Sequence, residues 1–306
     1  MTNWPPLPFS EWKDTQATLH LWTQIVGKIR LAQTPWTNHS WHVPLYVTSR
    51  GLTTSPIPYG ARTFELAFDF FAHELRIDTD DGEVQALTLE PRTVADFYHD
   101  LMGRLNGLGL DIRVRTVPCE IPNATPFEID HHHRSYDPGH VMRFWRVLVQ
   151  ADRVLKQFRA RFTGKASPVH FFWGSFDLAA TRFSGRPAPL HPGGVPNLPD
   201  WVAQEAYSQE VSSCGFWPGG EAMPQPVFYS YAYPEPAGFK VARVGPTAAR
   251  YEPALGEFVL PYDDVRQASS PDATLLEFLQ TTYDAAANLG AWDRAVLEAP
   301  KTGFRP

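Results

Sequence analysis

The sequence predicts an α+β protein in which antiparallel sheets pack against long helices. Several long segments repeat apolar residues every three or four positions, which is typical of amphipathic helices. Shorter segments alternate apolar and polar residues, which is typical of half-buried strands. The 306 residues are 43% hydrophobic and 13% aromatic, so the chain carries enough apolar surface to bury a core.

The first half of the chain contains two predicted helices and four predicted strands. The helices cover residues 11–33 and 91–108, and the strands cover residues 41–48, 63–77, 84–89 and 112–121. Along the first helix, Leu19, Trp22 and Val26 form a buried stripe. We expect the opposite stripe to be solvated, and it consists of Lys13, Gln16, His20, Gln24 and Lys28.

The second half begins with a predicted helix over residues 137–162. Asp137 can accept an unpaired amide hydrogen at the start of this helix, and Pro138 fits its first turn. Strands over residues 168–176, 227–233 and 258–260 and a last helix over residues 272–289 follow. A proline-rich segment at about residues 184–226 separates the first two of these strands and is predicted to be an irregular insertion.

The two halves share the order helix, strand, strand, strand, helix, which suggests an internal duplication. We predict two diverged repeats, residues 1–121 and 122–306, related by a pseudo-two-fold axis within one compact globular unit. In this alignment Trp22 pairs with Trp145, and His42 pairs with His170. The alternative is that the same order of elements arose by chance.

Composition and charge exclude several functional classes. A net charge of −6 argues against a dedicated nucleic-acid binder. No segment approaches the roughly 20 apolar residues of a membrane span, and the first residues lack a secretory signal. Cys119 and Cys214 are too few for a disulfide framework. We therefore expect a cytoplasmic protein without nucleic-acid or membrane partners, and the common nucleotide-binding and hydrolase motifs are also absent.

The strand predicted over residues 168–176 carries the main candidate site. In strand geometry Trp173, Ser175 and Asp177 share one face, and His170 points to the other face. We take Trp173 and Ser175 as candidate substrate-binding residues and Asp177 and His170 as candidate catalytic residues. The alternative is a buried strand whose polar groups are satisfied by hydrogen bonds.

Two arginines follow this strand in what is predicted to be a loop. The guanidinium groups of Arg182 and Arg186 could hold a carboxylate or a phosphate there. If the repeats pack about a two-fold axis, His42 and His170 both approach the seam between them, where pockets are common. The alternative is that the arginines pair with acidic neighbours.

Residues 205–219 of the proline-rich insertion are predicted to form a lid or binding loop. Tyr207, Glu210 and Trp217 would close over a ligand there. Glu205 or Glu210 would act as a general base if burial raised its pKa. The alternative is a surface loop that packs on itself.

A run of three histidines within residues 130–137 suggests a metal site. Neighbouring side chains of an extended chain point in opposite directions, so only His131 and His133 would share a face. A solvated turn before the next helix is the favoured interpretation, and no metal ligand is assigned. His20 is added to the candidate substrate-binding residues, because the polar stripe of the first helix could instead face the pocket.

Three segments together resemble a bacterial family of uncharacterised proteins, domain of unknown function 5996. They cover residues 18–28, residues 170–177 with 182–186, and residues 215–219. The resemblance spans nearly the whole chain and implies a bacterial origin and one architecture throughout the family. It implies no reaction, cofactor or site residue.

These observations favour an enzyme that acts on a small anionic or polar metabolite at the seam between the repeats. Histidines would serve as acid and base, and the arginines would anchor the anion. Two alternatives stay open, a non-catalytic protein that binds a small ligand and a metalloprotein with histidine ligands. The cofactor, the reaction class and the oligomeric state are left undetermined.

Overall fold

The computed structural model describes residues 3–300 and places two six-stranded sheets among seven α-helices. The helices are α1 (Phe9–Gln33), α2 (Val94–Gly107), α3 (Pro138–Arg159), α4 (Asp200–Ala206), α5 (Tyr262–Arg266), α6 (Pro271–Leu289) and α7 (Arg294–Leu297). The strands of the first sheet are β1 (Tyr46–Val47), β2 (Gly51–Thr53), β3 (Ile57–Tyr59), β4 (Arg62–Asp69), β5 (Glu74–Thr79) and β6 (Val84–Thr88). The strands of the second sheet are β7 (His170–Phe172), β8 (Asp177–Pro187), β9 (Gln209–Trp217), β10 (Val227–Tyr233), β11 (Arg250–Glu252) and β12 (Glu257–Pro261). The paired strands run antiparallel, so the predicted α+β class with antiparallel sheets is confirmed.

The first sheet has the strand order β1, β2, β4, β5, β6, with β3 also paired to β4. The single strand predicted over residues 63–77 is in fact the hairpin of β4 and β5. The Asp69 carboxylate accepts the amide hydrogens of Phe71 and Ala72, each at 3.0 Å, and these bonds turn the chain back on itself. Strand alternation alone does not reveal such a turn.

Helix α1 packs against both α2 and α3, and it is buried on nearly all sides. The Trp22 ring stacks on Phe97 of α2 with 4.6 Å between ring centroids. The expectation of a solvated polar stripe is wrong for Gln16, Gln24 and Lys28, which are buried, whereas Lys13 is exposed. The three buried side chains donate hydrogen bonds to backbone carbonyls of other segments, and these bonds offset the free-energy cost of burying the polar groups.

The strand predicted over residues 112–121 is absent, and the segment is irregular. Its backbone polar groups bond to side chains of α1 instead of to a neighbouring strand. Gln24 accepts the amide hydrogen of Cys119 at 2.8 Å and donates to the Cys119 carbonyl at 2.9 Å. Lys28 donates to the Val117 carbonyl at 2.8 Å. The segment is therefore held in place without joining a sheet.

The second sheet has the strand order β7, β8, β9, β10, β12, β11. The expectation of an irregular lid over residues 205–219 is wrong for most of that segment. It contains β9, an interior strand that pairs with β8 on one side and β10 on the other. Small residues such as Ser213, Cys214 and Gly215 are buried along both faces of β9, so the strand lacks the alternation that identifies a strand from sequence.

Helices α3 and α6 pack on one face of the second sheet. The predicted start of α3 is confirmed, since the Asp137 side chain accepts the amide hydrogen of His140 at 2.9 Å. The two sheets meet at an antiparallel bridge in which the amides of Leu45 and Phe171 exchange hydrogen bonds at 2.9 and 2.8 Å. Within residues 3–300, no helix combines the length and the apolarity needed to cross a membrane.

Candidate functional site

A cavity of about 490 Å³ lies on the face of the second sheet that points away from α3 and α6. Its floor comes from alternate residues of β10, because side chains two positions apart share a face of a strand. We call it the carboxyl cavity, because three acidic side chains line it, Glu120, Asp177 and Glu257. Four tyrosines complete much of its wall, Tyr207, Tyr229, Tyr231 and Tyr233.

Asp177 is the first residue of β8 and is only 7% exposed. Its two carboxylate oxygens accept hydrogen bonds from the hydroxyls of Ser175 and Tyr229. Burial raises the pKa of Asp177, while these two hydrogen bonds oppose the rise by stabilising the charged form. A side chain at Gly215 would overlap the Tyr229 hydroxyl, so this glycine leaves the room in which Tyr229 reaches Asp177.

Glu120 reaches the cavity from the irregular segment that α1 holds in place. Its backbone has a φ of 61°, a value that few residues other than glycine adopt. The amide of Glu120 donates to the Pro196 carbonyl at 2.8 Å, which ties this turn to the proline-rich segment. A side chain at Gly174 would overlap the Glu120 carboxyl group, so the absence of a side chain there creates the space that Glu120 occupies.

Glu257 lies at the start of β12, on the other side of β10 from β9. Burial raises the pKa values of Glu120 and Glu257 to about 7, and the neighbouring Asp177 charge adds to both rises. Among residues 3–300, neither glutamate carboxyl group has a hydrogen-bond or ion-pair partner. Both acids therefore titrate near neutral pH and have acceptor positions available.

The acids of the carboxyl cavity have no lysine or arginine beside them among the described residues. The lining histidine, His191, accepts the amide hydrogen of Gly193 at Nδ1, at 3.1 Å. No group of three or more His, Cys, Asp or Glu residues between residues 3 and 300 could hold a metal ion.

The tyrosines present neutral aromatic rings to the cavity. The hydroxyls of Tyr207 and Tyr231 lie 2.7 Å apart in a hydrogen bond, and burial raises the pKa of Tyr207 to about 12. The rings of Tyr229 and Tyr231 stack with 6.1 Å between centroids. Neutral aromatic rings attract cations through the negative charge on their faces. The tyrosine rings and the acids thus both favour a positively charged ligand.

The structure brings four of the sequence-predicted site residues together at this cavity: Asp177, Ser175, Tyr207 and Trp217. The two predicted anion anchors lie elsewhere. Arg182 is 2% exposed and points to the opposite face of the sheet, where its guanidinium lies 3.5 Å from the ring centroid of Phe158. Arg186 forms an ion pair with the predicted base Glu210 at 2.6 Å. Neither arginine lines the cavity.

The two predicted histidines also lie outside the cavity lining. His170 is fully buried, with Nε2 3.4 Å from the Tyr46 hydroxyl, and burial lowers its pKa to about 3. His42 accepts the Thr37 amide hydrogen at 3.2 Å and contacts the ring of Trp36. Burial lowers the pKa of His42 as well. The surroundings of both imidazoles favour the neutral form over the charged form, and neither is paired with the other.

Trp173 and His20 support the turn that delivers Ser175 and Asp177. The Trp173 indole packs against the backbone of Gly27 and donates to the Val43 carbonyl at 2.8 Å. His20 Nε2 lies 2.9 Å from the Gly174 carbonyl oxygen, and burial lowers the pKa of His20 to about 4. His20 also lines a separate cleft of about 670 Å³.

Sequence reasoning missed several residues of the cavity. The most consequential are Glu120, Tyr229, Tyr231 and Glu257. The alternation of tyrosines at 229, 231 and 233 was the available signal, since it puts three aromatic side chains with polar ends on one face of a strand. Glu120 had no such signal, because its position depends on side chains of the distant helix α1.

Comparison with known proteins identifies a family but no activity. A family model described as a family of unknown function, DUF5996, matches residues 4–299. No curated protein and no solved structure matches the chain.

Proposed function

We propose that this chain, which belongs to the family of unknown function DUF5996, binds a small organic cation in the carboxyl cavity. One observation carries the proposal: three carboxyl groups share a cavity whose described lining contains no lysine or arginine. Buried charges are costly unless they are paired, because low-polarity surroundings solvate them poorly. A bound ammonium group would provide the missing partner.

The aromatic wall supports the same ligand class. An alkylammonium ion can place its charge against carboxylate oxygens and its methylene or methyl groups against tyrosine faces. The proposed ligand charge is opposite to that expected from the arginines in the sequence. The reason is spatial, since Arg182 and Arg186 are engaged outside the cavity.

A second candidate function is acid and base catalysis at the same cavity. Glu120 and Glu257 have pKa values of about 7, so each can take up or release a proton near neutral pH. General acids and bases work best when their pKa lies near the working pH. Conversion of a bound amine by the wild-type protein, lost in Glu120→Gln or Glu257→Gln with binding retained, would favour the enzyme over the binding protein.

The test of cation binding is isothermal titration calorimetry at pH 8 with butylamine, tetramethylammonium and butyrate as probes. We expect the two cations to bind, butyrate not to bind, and Asp177→Asn to weaken cation binding. Glu90→Gln is the matched control, because Glu90 is an exposed glutamate outside the cavity and its loss should leave binding unchanged. Binding of butyrate alone, or cation binding that is insensitive to Asp177→Asn, would contradict the proposal.

We also propose that the two halves derive from one repeated unit. Each half runs from a long helix through six strands to a further helix, α1 to α2 and α3 to α6, with α4 and α5 as additions in the second. The reciprocal hydrogen bonds of Leu45 and Phe171 are the kind of contact that a local two-fold relation produces. A superposition of the described parts of the halves tests this proposal. A rotation near 180° that places Trp22 on Trp145 supports it, and the lack of a common rotation contradicts it.

A further inference from the structure

The three acids of the carboxyl cavity are spread along it rather than gathered at one point. They come from three separate parts of the chain: Glu120 from the irregular segment, Asp177 from the start of β8, and Glu257 from the start of β12. Across residues 3–300 no such trio is close enough to coordinate a single metal ion. One atom-sized cation therefore cannot satisfy all three carboxylates.

The two glutamates lie on opposite sides of the cavity. The Glu120 carboxyl group lies where a side chain at Gly174 would be, just before the start of β8. Glu257 begins β12, and β9 and β10 lie between β8 and β12 in the sheet. Asp177, the first residue of β8, is therefore on the Glu120 side of the cavity.

Asp177 differs from the two glutamates in its hydrogen bonds. Asp177 already accepts two hydroxyl hydrogens, from Ser175 and Tyr229. In the part of the chain that the structure describes, the carboxyl groups of Glu120 and Glu257 accept none. The two glutamates are therefore where new donors can bind, and β10 with its tyrosine rings lies between β8 and β12.

We infer that the ligand is a linear diamine, with one ammonium group at Glu120, the other at Glu257, and an alkyl chain between them along the tyrosine wall. This inference rests on the proposed binding of an organic cation. Each ammonium donates to one carboxylate, and the methylene groups pack on the rings of Tyr229 and Tyr231. A volume of about 490 Å³ suits an extended organic molecule better than a single ammonium ion.

The experiment compares diamines with monoamines of equal length on the full chain. Affinities are measured by calorimetry at pH 8 for straight-chain α,ω-diamines of three to eight carbons and for the corresponding alkylamines. We expect one optimal diamine length, with affinity at least about tenfold above that of the matched alkylamine. Glu120→Gln and Glu257→Gln should each remove this advantage, and Glu90→Gln should preserve it.

The outcomes separate the inference from the proposal on which it rests. Alkylamines that bind as tightly as every diamine would overturn the diamine inference and leave cation binding standing. Failure of every amine to bind would overturn both. The wild-type length series decides the question even if a glutamine variant folds poorly, and a thermal melt of each variant checks that point.

Discussion

The two faces of the second sheet carry buried charge in opposite ways. On the face that packs against α3 and α6, the buried charge is a cation, Arg182. On the other face, the charges are the acids of the carboxyl cavity. The sheet separates them, so the guanidinium cannot neutralise the carboxylates by direct contact.

The protein itself supplies the partners of Arg182. The guanidinium lies 3.5 Å from the ring centroid of Phe158 and 4.3 Å from that of Tyr283, and it donates to the Phe158 carbonyl. Burial lowers the pKa of Arg182 to about 10, so the group stays charged at neutral pH. Arg182 therefore has a structural role between two helices.

The acids on the other face lack comparable partners. Asp177 has two hydroxyl donors, but Glu120 and Glu257 line open volume without a donor from the described residues. Burial of a charge does not by itself identify a functional site. Burial without a partner from the protein, beside a cavity, is the more specific signal.

The largest effect on stability is expected at Arg182, on the face of the second sheet that packs against α3 and α6. Arg182→Ala removes the contacts with Phe158 and Tyr283 and leaves a void between α3 and α6, so it should lower the free energy of unfolding by about 3 kcal/mol. Urea denaturation measures this change. Arg186→Ala serves as the control, because an exposed ion pair contributes at most about 1 kcal/mol. Equal effects of the two substitutions would remove the structural role assigned to Arg182.

On the cavity face, a substitution is expected to reduce ligand affinity more than stability. Asp177→Asn keeps the shape of the side chain and removes a buried negative charge. The free energy of unfolding should therefore fall by less than about 1 kcal/mol or should rise. Affinity for the optimal amine should fall about tenfold or more. Denaturation and calorimetry on the same variant test both statements. A large loss of stability without a loss of affinity would make Asp177 a structural residue like Arg182.

The cavity acids should also make stability depend on pH. In the folded protein Glu120 and Glu257 have pKa values of about 7, against an ordinary value of 4.5, so the folded state binds more protons between these limits. Stability due to these groups is therefore present below pH 4.5 and is lost as the pH rises to 7. Solvent screening of the partly exposed carboxyls limits the loss to about 1 kcal/mol.

The measurement compares wild type with the Glu120→Gln, Glu257→Gln double variant by denaturation at several pH values. His20 and His170 have lowered pKa values of about 4 and about 3, and they give the opposite slope below pH 6.5. Both proteins contain these histidines, so their contribution cancels in the difference. If the difference in the free energy of unfolding does not vary with pH, the pKa values of the two glutamates are not raised in the folded protein.

The smallest effect is expected at the glycine that makes room for Glu120. A methyl group at Gly174 would overlap the end of the flexible Glu120 side chain, which can move aside. Gly174→Ala should therefore leave the fold intact and weaken amine binding about threefold. Gly103→Ala is the control, because a Cβ at this position of α2 meets nothing within 4 Å and should leave affinity unchanged. An unchanged affinity in Gly174→Ala would show that the position of Glu120 is unimportant for binding.

Local rules predicted the parts of the fold that depend on neighbouring residues. Asp137 and Pro138 predicted the start of α3. Ser175 and Asp177 were expected on one face of a strand over residues 168–176, and both line the cavity, but β7 ends at Phe172 and a turn over residues 173–176 brings them there. Arg182 was assigned to a loop because the strand was expected to end at residue 176. In fact the chain turns and continues as β8, and a position five residues after Asp177 then points to the other face.

Other parts depend on contacts between distant segments and could not be predicted. Glu120 is placed by Gln24, which holds the neighbouring residue Cys119 across a sequence separation of 95 residues. The interior strand β9 is buried on both faces and lacks a period of two. The negative charge of the cavity is therefore a property of the packing of three segments rather than of any one motif.

The most direct test of the account is a carbon-13 NMR titration of the glutamate side-chain carboxyl groups in the ligand-free protein. The signals of Glu120 and Glu257, assigned with the two glutamine variants, should titrate near pH 7, the value to which burial raises each pKa. Addition of 1,5-diaminopentane should lower both values, because a bound cation favours the ionised carboxylates. Titration of both groups near the ordinary value of 4.5, with no response to the amine, would contradict the central claim that these acids lack a partner.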